Sequence, residues 1–498
     1  MNPSFEEFKE LTKKGNLIPL SKELMADQET PLSVYRKLAA GSSAHTFLLE
    51  SVEGGEHVGR FSFVGFEPRK VIKISNDQLV VVEDGKERRE TVSGEPLQVV
   101  EKEMSRFAAV AVPGMPRFIG GAVGYVGYEY LSKIEPVSRA GKNDLGTPDL
   151  YFMLMDAVVV FDRVKQSMKI VVHAHIEGGS KGNLQKIYDD TVRRIEAIEA
   201  RLQKSVSPDL LPLVQEYPSA NFESNTPKER FLEIVAAAKQ YIHQGDVIQV
   251  VLSQRFAAPT RADALTLYRA LRTINPSPYM FLMQVDGFSL IGSSPEIHVR
   301  CEEGTVEVRP IAGTRPRGKT GAEDVVLEKE LLADQKERAE HLMLVDLARN
   351  DIGRVCETGT VKVPEFMTVE RYSHVMHIVS QVEGRLNKNQ TPFDLMRATF
   401  PAGTVSGAPK IRAAQIIAEF EGSERGPYAG AVGYFSFDGN LDTCITIRTI
   451  LLKDGIAYIQ TGAGIVADSV PENEYQETVN KAKGMFKAVA LANALVKK

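Results

Sequence analysis

The sequence predicts an α+β fold: antiparallel β-sheets in a sandwich flanked by helices, built as two interlocked halves. Three observations lead there. Short β-branched runs bounded by Gly, Pro, Asn and Asp follow one another through residues 1–200. Between 226 and 498 the strand-like runs come in groups beside long helical stretches, not in the strict alternation of βαβ units. No run approaches the roughly 18 uncharged apolar residues of a membrane span.

In the first half, HTFLLES (45–51), HVGRFSFVG (57–65), KVIKI (70–74) and QLVVVED (78–84) read as successive strands. YFMLMDAVVVF (151–161) reads as one buried strand interrupted by Asp156. From Lys181 to Leu202 the period becomes helical, with Ile187, Val192, Ile195 and Ile198 on one stripe. Residues 205–231 then hold four prolines and a Ser/Asn/Thr cluster without periodicity. The expected organisation is an N-terminal β-rich domain over 1–204, a connection over 205–225 and a C-terminal domain over 226–498. Thr226-Pro227-Lys228-Glu229 offers a helix start with Thr226 as its cap. IQVVLSQRF (248–256), YMFLMQV (279–285), FSLIGSS (288–294) and TVEVRPI (305–311) are strand-like. Helical stretches follow at about 322–349 and 472–495. The pentapeptide GAVGY occurs twice, at 121–125 and 430–434, and its glycines mark places where another backbone or a ligand approaches a strand closely.

Composition narrows the function classes. Lys plus Arg is 60 against 65 Asp plus Glu, a formal net charge of −5, which argues against a nucleic-acid partner. The three cysteines, Cys301, Cys356 and Cys444, are too scattered for a disulfide framework or a structural zinc site. The N-terminus MNPSFEEFKELTKKGN is acidic and lacks the apolar core of a signal peptide, so a cytoplasmic protein with no membrane partner is expected.

Several clusters carry chemistry. Glu337/Glu340 and Glu474/Glu477 are pairs at i, i+3 on the two late helical stretches, and Lys481 lies at i+4 from Glu477. Taken alone they are solvated charge pairs; if the two faces meet, hard oxygen ligands suit Mg²⁺. TGAGIVADS (461–469) fits G-x-G-x-x-A, but Pro471 interrupts the long helix that a dinucleotide site needs. It reads instead as a glycine turn whose amides receive an anion. PAGTVSGAPKIRAAQ (401–415) places Gly403, Thr404, Ser406 and Gly407 before a helix, another anion-receiving arrangement. VRPIAGTRPRG (308–318) offers Gly313 and Thr314, with Arg309, Arg315 and Arg317 expected on the surface. Arg448 is different: one charge in an apolar strand needs a carboxylate, from the protein or from a substrate. Glu296 ends a strand in SPE as a possible acid or base, and His374 and His377 do not satisfy the HExxH zinc pattern.

In order, SPE, PIAGTRPRG, the Glu337/Glu340 stretch ending in DLARNDIGRV, GTVSGAPK, GAVGYFSFDG, TGAGIVADS and ENEYQET resemble the chorismate-utilising enzymes. The similarity is closest to the large subunits of the anthranilate synthase branch. It is dense over the C-terminal half and reaches the N-terminal half through HTFLLES and GRFSFVG. The resemblance implies Glu340 and Glu477 as Mg²⁺ ligands, with Glu337 and Glu474 beside them. It implies chorismate contacts from Gly313, Thr314, Thr404, Tyr428, Arg448, Lys481 and the amides of Gly462, Ala463 and Gly464. Glu296 resembles the acid that protonates the departing C4 hydroxyl, and His377 the group tied to loss of pyruvate.

Two positions separate the sub-families. Relatives that add water carry Lys where this chain has Gln249, and relatives that make aminodeoxychorismate carry a nucleophilic Lys where it has Ala312. Ammonia already has a usable lone pair, so Gln249 favours ammonia. No cysteine sits in a nucleophile elbow, so the resemblance implies a separate glutamine amidotransferase subunit, in a heterotetramer of two large and two small chains. It also implies inhibition by tryptophan, with Glu50 and Ser51 at the amino-acid end and Pro278, Tyr279, Met280, Val432, Gly433 and Tyr434 around the rest. The remaining alternatives are an aminodeoxychorismate or isochorismate synthase, a nucleotide-dependent oxidoreductase, and a non-catalytic amino-acid sensor. The chain contains no Trp, so indole fluorescence in a binding experiment comes only from added ligand.

Overall fold

The computed structural model describes residues 1–39, 44–51, 59–176, 183–205, 210–212, 214, 216, 220–372 and 375–496. His374 and much of the 205–225 connection lie outside the described residues.

Two 12-stranded antiparallel sheets form the sandwich, and each draws strands from both halves of the chain. The first runs Leu17–Met25, Ser167–His175, Ala157–Asp162, Phe61–Gly65 and Thr46–Glu50, then crosses into Tyr279–Val285, Phe288–Ser294, Thr449–Lys453, Ile456–Ile465 and Gln249–Pro259. The second runs from Ile311–Pro316, Val375–Arg385, Thr305–Val308, Ile297–Glu302, Leu441–Ile445 and Ala431–Ser436 into Gly121–Val126, Leu150–Met155, Lys70–Ser75, Gln78–Glu83 and Lys86–Thr91. The halves therefore join by continuous hydrogen bonding at two seams. One pairs Leu49 with Phe281, and the other pairs Gly124 with Gly433.

The second seam explains the repeated pentapeptide. Its two copies lie side by side, antiparallel, with Val123 opposite Tyr434 and Tyr125 opposite Val432. A Cβ on Gly124 would stand 1.8 Å from the Tyr151 carbonyl oxygen, and one on Gly433 would stand 2.1 Å from that of Asp442. Only a residue without a side chain fits such approaches. Between the sheets Phe47, Phe63, Tyr125, Phe281, Met283 and Tyr434 are at most 3% exposed. Each such side chain contributes about 1.5–3 kcal/mol by leaving water, so the interlayer core itself fastens the halves together.

Four local expectations change. The 151–161 run is two strands, Leu150–Met155 and Ala157–Asp162, in different sheets. Asp156 marks the crossing, where its carboxylate pairs with Arg194 at 3.0 Å. Helix Lys228–His243 begins after Pro227 without a side-chain cap, because the Thr226 hydroxyl bonds Asn225 instead. The 322–349 stretch is two helices, Gly321–Ala333 and Gln335–Gly353, parted at Asp334. The Asp334 side chain accepts from the amides of Lys336 and Glu337, and so caps the second helix. TVEVRPI divides into Thr305–Val308 and Ile311–Pro316. The closing helix, Pro471–Leu495, buries Met485, Ala488, Val489 and Ala492 in a core shared with Leu267, Leu271 and Ile459.

Candidate active site

Glu296 lies just beyond strand Phe288–Ser294, 5% exposed, and accepts a 2.7 Å bond from the Thr404 hydroxyl at Oε1. Burial pushes its pKa up to about 7, against the opposing Thr404 bond and the charges of Arg448 and Lys481. Glu296 thus titrates near neutrality, where an exposed carboxyl is fully ionised. A cavity of about 400 Å³ opens beside it, lined also by His298, Leu344, Leu347, Ala348 and Asp351.

Arg448 sits at φ +52° between two strands, in the left-handed region that costs a non-glycine residue energy. Among the described residues its guanidinium has no side-chain hydrogen bond or ion pair. Burial lowers its pKa, offset by Tyr428, Glu477 and Glu296. Arg448 is half-buried and has no paired carboxylate among the described residues, so its guanidinium is available to an anionic ligand.

The two glutamate pairs come within electrostatic reach of each other. Burial raises the Glu340 pKa, and the charges of Glu337 and Glu477 raise it further. Burial also raises Glu474, with Lys336 from the facing helix among the opposing charges. Glu477 pairs with Lys481 at 2.7 Å and Glu337 with Arg315 at 3.0 Å, whereas Glu340 has only a long 3.4 Å contact from the Gln249 amide. Among the described residues no three His, Cys, Asp or Glu side chains converge as a complete protein cage. The set nevertheless suits a hard cation that takes one or two carboxylates and leaves its other positions to water and substrate, as Mg²⁺ does.

The glycines of TGAGIVADS form no turn: strand Ile456–Ile465 runs through Gly462, Ala463 and Gly464, and the chain turns only beyond it, at Ala467 and Asp468. The Val251 amide, opposite Gly464, donates to Ser406, and the Ser253 amide, opposite Gly462, donates to Glu421. Both glycines therefore occupy non-hydrogen-bonded pairs, with their N–H groups directed away from that partner strand. Ala463, opposite Leu252, directs its amide into the ladder instead. Consistently, the Gly462 carbonyl accepts from Lys481 at 3.0 Å. A Cβ on Gly464 would meet Gln249 Nε2 at 2.4 Å, and one on Gly462 would meet the Tyr428 hydroxyl at 2.9 Å. Gln249 and Tyr428 thus lie directly over the two glycines.

His377, on strand Val375–Arg385, has Nδ1 at 2.9 Å from the Gly313 carbonyl and 3.1 Å from the Thr314 hydroxyl. A carbonyl only accepts, so Nδ1 carries the proton and Nε2 keeps a lone pair. Burial lowers the pKa, so the ring is neutral near pH 7. Gly313 adopts φ +72°, and a Cβ there would stand 3.2 Å from Glu337 Oε2. The outer arginines are ion-paired: Arg309 with Glu370, Arg315 with Asp334 and Glu337, and Arg317 with Asp324.

The other eight candidate residues line a single second cavity at the two seams. About 440 Å³ is bounded by Glu50, Ser51, Pro278, Tyr279, Met280, Val432, Gly433 and Tyr434, together with Phe61 and Phe63. Glu50 is already held by Tyr268 at 2.5 Å and Arg272 at 2.6 Å. Sequence reasoning missed Arg117 and Asp442 in this wall. Asp442 accepts from the Tyr279 hydroxyl at 3.0 Å and stands 3.3 Å from Arg117, whose buried Nε has no hydrogen-bond partner. The signal available was a charged residue close to each pentapeptide: Arg117 four residues before the first, and Asp442 on the strand that pairs with the second.

An interlocked sandwich that brings an arginine without an ion pair, a glutamate with its pKa raised to about 7 and clustered carboxylates within electrostatic reach of one another suits a chorismate-binding enzyme. Residues 44–487 match the family described as chorismate binding enzyme, and the chain belongs to it. "Anthranilate synthase component 1" of Acetivibrio thermocellus is 48% identical over 497 residues, 99% of this chain and 99% of that protein. The protein of the same name from Aquifex aeolicus (strain VF5) is 48% identical over 496 residues, 99% and 98% of the two chains. The solved structure of anthranilate synthase component I from Streptococcus pneumoniae TIGR4 has a TM-score of 0.77 at 36% identity, covering 93% of this chain and 99% of that one.

Proposed function

We propose that this chain catalyses the anthranilate synthase reaction as a cytoplasmic large subunit: chorismate plus ammonia gives anthranilate, pyruvate and water by way of aminodeoxyisochorismate. This is the first committed step of tryptophan biosynthesis. The observation that carries the reading is that Arg448, without an ion pair among the described residues, lies within electrostatic reach of Glu296, whose pKa burial raises to about 7. Chorismate is a dianion with a poor leaving group, and these are the two functions it requires.

Arg448 and the open amides of Gly462 and Gly464 receive a substrate carboxylate, with Tyr428, Lys481, Gly313 and Thr314 closing the pocket. Ammonia attacks C2 with its own lone pair, the ring double bonds shift, and the C4 hydroxyl leaves as water on the proton of Glu296. Gln249 stands in the strand beside Glu340 and supplies no base, which suits ammonia and not water. In the second stage a base removes the C2 proton, the C3–O bond breaks, and the side chain departs as pyruvate. His377, neutral with an available Nε2 lone pair, serves that stage. Mg²⁺ held by Glu340 and Glu477, with Glu337 and Glu474 beside them, would supply positive charge to the ring carboxylate, the one not received by Arg448.

Ammonia would come from glutamine through a separate amidotransferase subunit in a heterotetramer. Tryptophan would inhibit by occupying the seam cavity and biasing how the halves pair. Among the described residues no helix is long and apolar enough to cross a membrane.

The test is direct. Purified chain given chorismate, Mg²⁺ and ammonium should release fluorescent anthranilate and pyruvate in equal amounts. Accumulation of isochorismate or of aminodeoxychorismate would overturn the reading.

A further inference from the structure

Arg425 has no place in the mechanism above, yet among the described residues it is the largest fully buried side chain, 1% exposed. It lies in the turn before strand Ala431–Ser436, four residues beyond Glu421 at the end of helix Lys410–Phe420. Its guanidinium makes a forked pair with Glu421, at 2.8 Å from Nε and 2.7 Å from Nη2. The remaining donors reach two backbone carbonyls of other segments: Nη1 to Val405 at 2.8 Å and Nη2 to Val251 at 2.7 Å. The plane stacks near Tyr128 on one ring and Tyr428 on another, 4.5 and 5.6 Å from their centroids.

Three of these partners lie at or near residues of the site. Val405 follows Thr404, whose hydroxyl holds Glu296. Val251 lies two residues from Gln249 on the same strand. Tyr428 covers Gly462. Glu421 is held in turn by the amide and hydroxyl of Ser253, at 2.8 and 2.9 Å. The N-terminal half closes the arrangement from behind: Glu129 accepts from the amides of Arg425 and Gly426, at 2.7 and 3.0 Å.

A buried ion pair that did nothing but stabilise could be replaced by apolar residues at little cost. Here the fork aims its spare donors at carbonyls of separate segments that carry reacting groups, and only a planar guanidinium can do that. We propose that Arg425 is a positioning residue for the reaction, one that sets Thr404 against Glu296 and Tyr428 over the carboxylate-binding amides. This rests on the reading of the cleft given above. Misplacing a catalytic group by about 1 Å costs on the order of 10²-fold in rate, which is the scale expected.

Arg425→Lys keeps the charge and a bond to Glu421 but cannot reach both carbonyls. Steady-state kinetics with chorismate, Mg²⁺ and ammonium should show kcat reduced about 30- to 100-fold with KM changed less than about 3-fold. Thr404→Val should show the same pattern, and the double variant should be little worse than the slower single one, because both disturb one arrangement. If Arg425→Lys does not fold, Ser253→Ala, which loosens Glu421 while leaving the arginine in place, takes its place in the same comparison. A loss confined to KM, a change in thermal midpoint with kcat intact, or effects that multiply in the double variant would overturn the proposal. Wild-type chain that makes no anthranilate would sink the functional reading itself, which separates the two failures.

Discussion

The cleft and the seam cavity differ in how their charges are matched. At the active site Arg448 and Glu340 each lack an ion pair among the described residues, and burial lifts the pKa of Glu296 to about 7. In the seam cavity Glu50 is bound by Tyr268 and Arg272, and Asp442 by Tyr279, within walls of Phe61, Phe63, Met280 and Tyr434. Unmatched charge is costly when empty and pays off only against a charged, changing substrate. A matched network behind aromatic walls instead holds a shape, which suits an amphipathic ligand that is bound and released unchanged. The cavity also lies where both sheets pass from one half to the other, so its occupant touches both seams.

The largest effect should come from Arg448→Ala. With no other cation committed to the substrate carboxylate at that point, kcat/KM for chorismate should fall about 10³-fold, roughly 4 kcal/mol of transition-state binding. Tryptophan binding, read from indole fluorescence in a chain that has none of its own, should not change.

Glu296→Gln keeps the shape and removes the acid, with an expected loss of about 10²- to 10⁴-fold. The pH dependence has a definite sign. Burial raises the Glu296 pKa from 4.5 to about 7, so the active, protonated form is lost as pH rises through 7. In the same window the folded chain binds the proton more tightly than the unfolded one. Stability therefore falls between pH 4.5 and about 7, by about 3 kcal/mol in all. Denaturation of Glu296→Gln across that range should lack this contribution while every other titration remains.

Ser51→Phe fills the seam cavity and should weaken tryptophan binding at least about 30-fold while turnover with ammonium stays within about 2-fold. The smallest effect is expected of Leu49→Ala, whose partly buried methyl groups line the same wall. A loss of about 1 kcal/mol, roughly 5-fold in tryptophan affinity, should leave chorismate kinetics unaltered.

Much of this was legible in the residues themselves. Alternating β-branched runs marked most strands and the i, i+3 glutamates lie on the two late helices as expected, whereas Arg448, expected inside an apolar strand, sits between two strands. Three things were not legible. The division of 151–161 between two sheets depends on long-range pairing, and Asp156 alone does not reveal it. The open amides of Gly462 and Gly464 follow from their register against Val251 and Ser253, which no local pattern encodes. Arg425 carried no signal, because its function lies in carbonyls of segments about 20 and 170 residues away.

The most direct measurement assays both sites on the same two variants. Chorismate turnover and tryptophan binding should separate completely: Arg448→Ala without turnover but binding tryptophan as wild type does, and Ser51→Phe with turnover but little binding. Loss of both properties in either variant would contradict the assignment of two chemically distinct sites to one interlocked fold.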